Sequence, residues 1–201
     1  MSSFDFETPD TYDSDSPFLS EPGTYHMQVL DLQEGVNAKG TVIDGFSVDL
    51  AVVEGPQKGK KINVSILKPK PDASDNGKRI ATQRISNFAI AANLLDPNQA
   101  GAGKRVSVDL LAAVQQQIVA RFSIDDRNEK KYLQLDYASI WHIDDPEVAK
   151  VPKSAEFLAL LPPQCRRKAD WFSFKKKKES KPATAMAGSG QTKPTEAWND
   201  L

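Results

Sequence analysis

At 201 residues the chain is long enough for one domain of ordinary size plus tails, and 39% hydrophobic residues allow a packed core. The net charge of −1 argues against a uniformly basic nucleic-acid binder, but it hides a separation: residues 1–21 hold Asp5, Glu7, Asp10, Asp13, Asp15 and Glu21 with no Lys or Arg, whereas Arg166, Arg167, Lys168 and the run 175–178 are basic. Cys165 is the only cysteine, which excludes an intrachain disulfide and a Cys-based metal site, and no apolar run is long enough to span a bilayer.

Residues 1–20 are acidic, Ser-rich and dotted with Phe4, Phe6, Tyr12 and Phe18. They are expected to form a disordered solubilising arm, with a pseudo-substrate that competes for a basic groove as the alternative. The start is acidic and has no apolar h-region, so no secretory signal is expected and the protein is placed in a cytoplasm. Glu21-Pro22-Gly23 reads as a turn. Tyr25, Met27 and Val29 alternate in a first strand over 24–34.

The stretch 45–67 carries period-2 patterning twice, through Phe46, Val48, Leu50 and Val52 and then Ile62, Val64 and Ile66. The punctuation Gly-Pro-Gln-Lys-Gly lies between them, so the stretch predicts an antiparallel hairpin. Its loop looks superficially like a phosphate loop, but the spacing is short and no Ser or Thr follows Gly-Lys. Residues 78–96 place Ile80, Ile85, Phe88, Ala92 and Leu95 near helical spacing, and Asp96-Pro97 ends the pattern. Alternation then predicts a fourth strand through Val106, Val108, Leu110 and Ala112. A fifth runs through Ile118, Ala120, Phe122 and Ile124, and a sixth from Leu133 through Leu135 and Tyr137 to Trp141. Ser154 is positioned to cap a short helix over 155–161, stopped by Pro162-Pro163.

The expected organisation is a disordered acidic arm (1–20), a β domain (21–145), a basic and aromatic extension (146–178) and a flexible tail (179–201) that ends in Trp-Asn-Asp-Leu. The domain is mostly β, with one helix between strands three and four. That order is the order of the OB-fold, a partly open Greek-key β-barrel, here with one strand beyond the minimum. A different small α+β sheet and a sandwich with a stray helix remain the alternatives.

Three groups of residues suggest chemistry. Lys58, Lys60, Lys61, Lys68 and Lys70 cluster in or beside the third strand, as a groove that tracks a nucleic-acid backbone requires. Arg105, Arg121 and Tyr132 join them on the strands. Tyr132 faces away from Leu133 and is the stacking candidate, whereas Phe46 and Tyr137 share a face with aliphatic residues and belong to the core. In the extension, Arg166, Arg167, Lys168, Lys175 and Lys176 are interleaved with Trp171, Phe172 and Phe174. Such a run either neutralises phosphates and stacks on bases, or docks its aromatics on the domain and leaves its lysines solvated. At the end of the chain, Trp198, Asp200 and Leu201 form a handle for a partner's groove.

Catalysis has little support. His26 and His142 are the only histidines and lie on separate strands without a partner motif. Asp125, Asp126, Asp144 and Asp145 have no recognisable nuclease spacing. No metal or cofactor is expected.

The runs Pro22-Gly23-Thr24-Tyr25, Gly45-Phe46-Ser47-Val48, Val53-Glu54-Gly55-Pro56-Gln57-Lys58-Gly59-Lys60-Lys61 and Gly103-Lys104-Arg105-Val106-Ser107-Val108 resemble phage-encoded single-stranded-DNA-binding proteins of the OB type over roughly 22–143. The resemblance implies a non-enzymatic protein of phage DNA replication, recombination or repair, working in the host cytoplasm on single-stranded DNA and recruiting replication enzymes through the C-terminal tip. Many members of the family end in an acidic tail, whereas here the tail is basic first and only mildly acidic at its tip. A protein-interaction adaptor in a replication or recombination complex, built on the same fold, is the first rival reading. A metal-dependent nuclease is the second.

Overall fold

The structure, a computed structural model, describes residues 16–100, 105–125 and 132–172. Strands β1 (Gly23–Val36), β2 (Val42–Val52) and β3 (Lys61–Leu67) form a meander. Helix α1 (Asp75–Ala91) follows, then β4 (Gln117–Asp125) and β5 (Tyr132–His142). The five strands form one antiparallel sheet in the order β3-β2-β1-β4-β5. Barrel closure is not found, because β3 and β5 are not paired as strands. All four pairings are antiparallel, so the two edge strands run in the same direction.

The hairpin over 45–67 is present with the expected faces. Val48 and Leu50 oppose Val64 and Ile62 across the ladder; Val48, Leu50, Val52 and Val64 are buried and Ile62 is half-buried against the core. Gly55 and Gly59 turn the connecting loop at φ 93° and 88°, where a side chain would be strained. Gly45 serves a different need. A Cβ there would lie 2.4 Å from the Ile66 carbonyl oxygen and 2.8 Å from Leu67 Cα, so β2 and β3 approach too closely for any other residue.

The helix begins earlier than its apolar spacing suggests, because Ser74 accepts a hydrogen bond from the Gly77 amide and caps it. It ends before Asp96-Pro97. Asn93 adopts φ 62°, and the Leu94 amide returns to the Ala89 carbonyl at 2.8 Å, which is the local pattern that stops a helix. Phe88, Ala89, Ala91 and Ala92 face the core, with Met27, Val29, Leu50, Ile66, Ile118 and Phe122 on the sheet side.

Two expectations are corrected. The fourth expected strand, through Val106, Val108, Leu110 and Ala112, is not a strand. Asp109 caps the Leu111 amide at 3.0 Å, and Leu110–Ala113 forms a 3-10 turn that buries Leu110 and Ala113 while Leu111 and Ala112 stay exposed. The described sheet therefore has five strands. At the other end, residues 16–20 fall within the expected disordered arm, yet Phe18 bridges to Lys61 alongside β3 and Leu19 is buried in the main core. Residues 1–15 and 173–201 lie outside the described residues.

The extension after β5 folds onto the domain. Ser154 caps α2 (Ala155–Leu160) as expected. Leu158, Leu161 and Val151 pack on Val119, Ile143 and Val148, a second apolar cluster on the outer face of the sheet.

Candidate nucleic-acid interface

The edges of β3 and β5 face each other across a seam. Alternation decides which backbone groups of β3 are available there. Its even-numbered residues bond β2, as Val52 does through the Lys60 carbonyl and Lys68 through the Asp44 carbonyl, and its odd-numbered residues point to the open edge. Two of these are used. Lys61 holds the strap at 17–19, and the Ser65 carbonyl accepts the hydroxyl of Tyr137 from β5. Burial raises the Tyr137 pKa above the ordinary phenol value, which keeps that hydroxyl a donor.

Helix α1 lies over the β5 side of the seam and leaves a cleft of about 320 Å³. Ile80, Gln83, Arg84 and Asn87 form its helix wall, with Ser123, Gln134 and Asp136 opposite. The Arg84 guanidinium sits 4.7 Å from the centre of the Tyr137 ring, and the Asn87 amide donates to the Tyr137 carbonyl at 2.9 Å. Tyr132 shares a strand face with Gln134 and Asp136, so it extends this wall toward the β4–β5 end, where it is 57% exposed.

The sequence-selected residues divide. Because β3 and β5 run the same way and touch at Ser65 and Tyr137, the start of β3 and the start of β5 lie at one end of the seam. Lys61 precedes Ser65 by four residues and Tyr132 precedes Tyr137 by five, roughly 13–17 Å along each strand. Lys58 and Lys61, both exposed, therefore share that end with Tyr132. Lys60 is there too, its ammonium bonded to the Ser16 carbonyl at 2.5 Å. Lys68 and Lys70 do not join them. They follow the far end of a seven-residue strand, about 20 Å away, and Lys68 pairs with Glu34 at 2.5 Å and lies 5.2 Å from the Phe46 ring centre. Arg121 is on the cleft side of β4 but is paired with Asp136 at 2.5 Å. Hydrogen bonds from Arg121, Ser139 and the Ala138 amide outweigh the effect of burial and hold the Asp136 carboxyl below its usual pKa. Arg105 is exposed and is not among the cleft residues.

The extension takes the docking alternative over its described part. Arg166 grips Asp144 through Nε and Nη2, with contacts of 2.6–3.0 Å, and the Arg167 amide adds a bond to the same carboxylate at 2.8 Å. The Arg167 side chain reaches Asn93 at the end of α1. Phe172 is buried, and the Trp171 and Phe172 rings lie 5.4 and 5.8 Å from His142. None of these four side chains lines the cleft. Lys168 is exposed. Lys175, Lys176, Trp198, Asp200 and Leu201 lie outside the described residues.

Both histidines act as fasteners for this extension. His26 Nδ1 accepts the Ser154 amide at 3.1 Å and Nε2 lies 3.0 Å from Gln117 Oε1, while the Gln117 amide nitrogen donates to the Phe157 carbonyl at 2.6 Å. His142 Nδ1 accepts the Asp144 amide at 3.1 Å, and its Nε2 faces the Cys165 carbonyl at 3.1 Å. Each ring thus uses one nitrogen as acceptor and the other as donor, which is the neutral form. Burial lowers both pKa values, that of His142 to about 4. Among the described residues, no group of three or more His, Cys, Asp or Glu side chains could hold a metal ion, and no helix is long and apolar enough to cross a membrane.

Sequence reading missed Gln83, Arg84, Asn87 and Gln134. The available signal was Lys78-Arg79 and Gln83-Arg84 on a helix whose opposite face is apolar. The outward face of β1–β3 carries Asp31, Gln33, Ser47, Asp49 and Asn63, with Asn63 donating to both Ser47 and Asp49. That face is acidic and has no ring among these five residues. No protein-family model matches the chain, and no curated protein matches it significantly.

Proposed function

We propose that this is a non-enzymatic single-stranded-DNA-binding protein of the OB type, acting in DNA replication, recombination or repair. The strand order, the parallel edge strands and a helix placed between β3 and β4 support the partly open barrel. The observation that carries the functional reading is the convergence of Lys58, Lys61 and the exposed ring of Tyr132 at one end of the seam, continuous with the Arg84–Tyr137 cleft. Lysines that hold no ion pair among the described residues neutralise phosphates, and an exposed phenol ring stacks on any base. The pairing is sequence-tolerant, and duplex cannot use it because its bases are already stacked.

The acidic face of β1–β3 repels phosphates, so the strand is led along the seam and not across that face. The same face favours the adaptor reading as a second role, a polar surface for a protein partner. The test is a pair of variants, Tyr132→Ala and Lys58→Ala/Lys61→Ala, titrated with oligo-dT. The first is expected to lose roughly 1–3 kcal/mol of binding. The second is expected to flatten the log–log salt slope by about 1.4, at 0.7 per phosphate. Unchanged affinity in both variants rejects this interface.

A further inference from the structure

The chain is tied down beside the basic end of the seam before it enters β1. The Lys61 amide donates to the Pro17 carbonyl and the Leu19 amide to the Lys61 carbonyl, each at 2.8 Å. The Lys60 ammonium holds the Ser16 carbonyl. Leu19 is only 5% exposed, so the strap is anchored by the core as well as by the edge of β3. Residues 17–19 run parallel to β3. The described chain therefore begins, at Ser16, beside the start of β3, where Lys58 and Lys60 sit.

Those residues are the most acidic part of the sequence. Positions 1–15 hold Asp5, Glu7, Asp10, Asp13 and Asp15, no Lys or Arg, and the rings of Phe4, Phe6 and Tyr12. At no more than about 3.5 Å per residue, a chain held at Ser16 can carry Asp15, Asp13 and Asp10 no farther than roughly 4, 10 and 20 Å from that anchor. A segment tethered this closely faces its target at an effective concentration in the millimolar range.

We propose that residues 1–15 dock on the basic end of the seam, against Lys58, Lys60, Lys61 and Tyr132, and that an incoming nucleic-acid strand must displace them. The docking follows from the anchor and the charge complementarity, whereas the displacement rests on the single-strand-binding reading above. The arm offers carboxylates where a nucleic acid offers phosphates, and rings where it offers bases. Only one can hold the site, so each weakens the other by the same factor.

The experiment compares three proteins by amide NMR and by oligo-dT titration. They are the full chain, a form lacking residues 1–15 but keeping Ser16 to Leu19, and a full-length form with Asp5→Asn, Glu7→Gln, Asp10→Asn, Asp13→Asn and Asp15→Asn. The last keeps the length and the anchor, so a folding defect in the truncated form does not decide the result. In both altered forms the amides of Lys58, Lys60, Lys61 and Tyr132 are expected to shift while those of α2 stay in place. Adding a synthetic 1–15 peptide to the truncated form is expected to restore the shifts. Oligo-dT affinity is expected to rise about three- to tenfold at low salt, with the forms converging within about twofold at 0.5 M salt. Unmoved shifts at these four residues, or shifts centred elsewhere on the domain, overturn the docking. Moved shifts with no oligo-dT binding by any form leave the docking standing and reject the single-strand-binding reading instead.

Discussion

The hydroxyl of Tyr137 donates to the carbonyl of Ser65, and this bond joins the two edges of a sheet that does not close by strand pairing. The same ring is the floor for Arg84 in the cleft. One side chain thus links the stability of the seam to the shape of the proposed site.

Replacing it conservatively separates the two roles. Tyr137→Phe keeps the ring under Arg84 but leaves the Ser65 carbonyl without its donor, at an expected cost of about 1–2 kcal/mol. A urea titration reads this as a lower midpoint with an unchanged slope. An unchanged midpoint shows that water replaces the hydroxyl without loss and that the seam is not held there.

Gly45→Ala tests the close approach of β2 to β3. The added methyl meets backbone atoms of Ile66 and Leu67, which cannot rotate away. The expected destabilisation is about 1–3 kcal/mol, typical of overpacking. A variant as stable as the parent means that the ladder opens freely at this point.

The buried histidines set a pH dependence. The folded-state pKa of His142 lies at about 4, below the ordinary value of 6.5, because burial disfavours the imidazolium. A neutral ring in the folded state and a protonated one in the unfolded chain mean that stability is full above about pH 6.5 and is lost as pH falls toward 4. The shift corresponds to a loss of order 3 kcal/mol across that window, with His26 acting in the same direction. Unfolding midpoints at pH 7 and pH 4.5 measure it, and His142→Gln is expected to shrink the difference. Equal midpoints in the parent protein contradict the neutral, buried assignment.

Much of this fold is legible in the sequence, for reasons that vary by element. The 45–67 hairpin and strands β4 and β5 show because their core-facing residues recur at every second position, even where, as at Gln117–Ala120, the outer face is covered as well. The expected strand at 106–112 fails because Val106, Val108, Leu110 and Ala112 alternate by accident. The decisive residue was Asp109, whose carboxylate caps a turn and sets a spacing of three. The strap at 16–19 was missed because a single buried leucine, Leu19, leaves no periodicity. For the site, sequence reading grouped five lysines by their nearness along the chain. Because β3 spans about 20 Å, it carries them apart, leaving Lys58, Lys60 and Lys61 at one end and Lys68 and Lys70 at the other. The Arg84–Tyr137 pair joins a helix and a strand more than fifty residues apart, which no local pattern reveals.

The docked extension gives a prediction of its own. Phe172→Ala empties a buried position against His142 and is expected to cost about 3 kcal/mol or more, seen as release of the segment after Pro163 to limited proteolysis. Oligo-dT affinity of the folded variant is expected to stay within about twofold, since Phe172 does not line the cleft. A stable variant with sharply weaker binding assigns Phe172 to the nucleic-acid site.

The most direct measurement is a titration of labelled oligo-dT and of duplex of equal length at two salt concentrations. Single strands are expected to bind more tightly than duplex, with affinity falling on a log–log slope of about −0.7 for each phosphate neutralised. Equal or tighter binding to duplex, or single-strand binding indifferent to salt, contradicts a seam built from lysines and an exposed tyrosine.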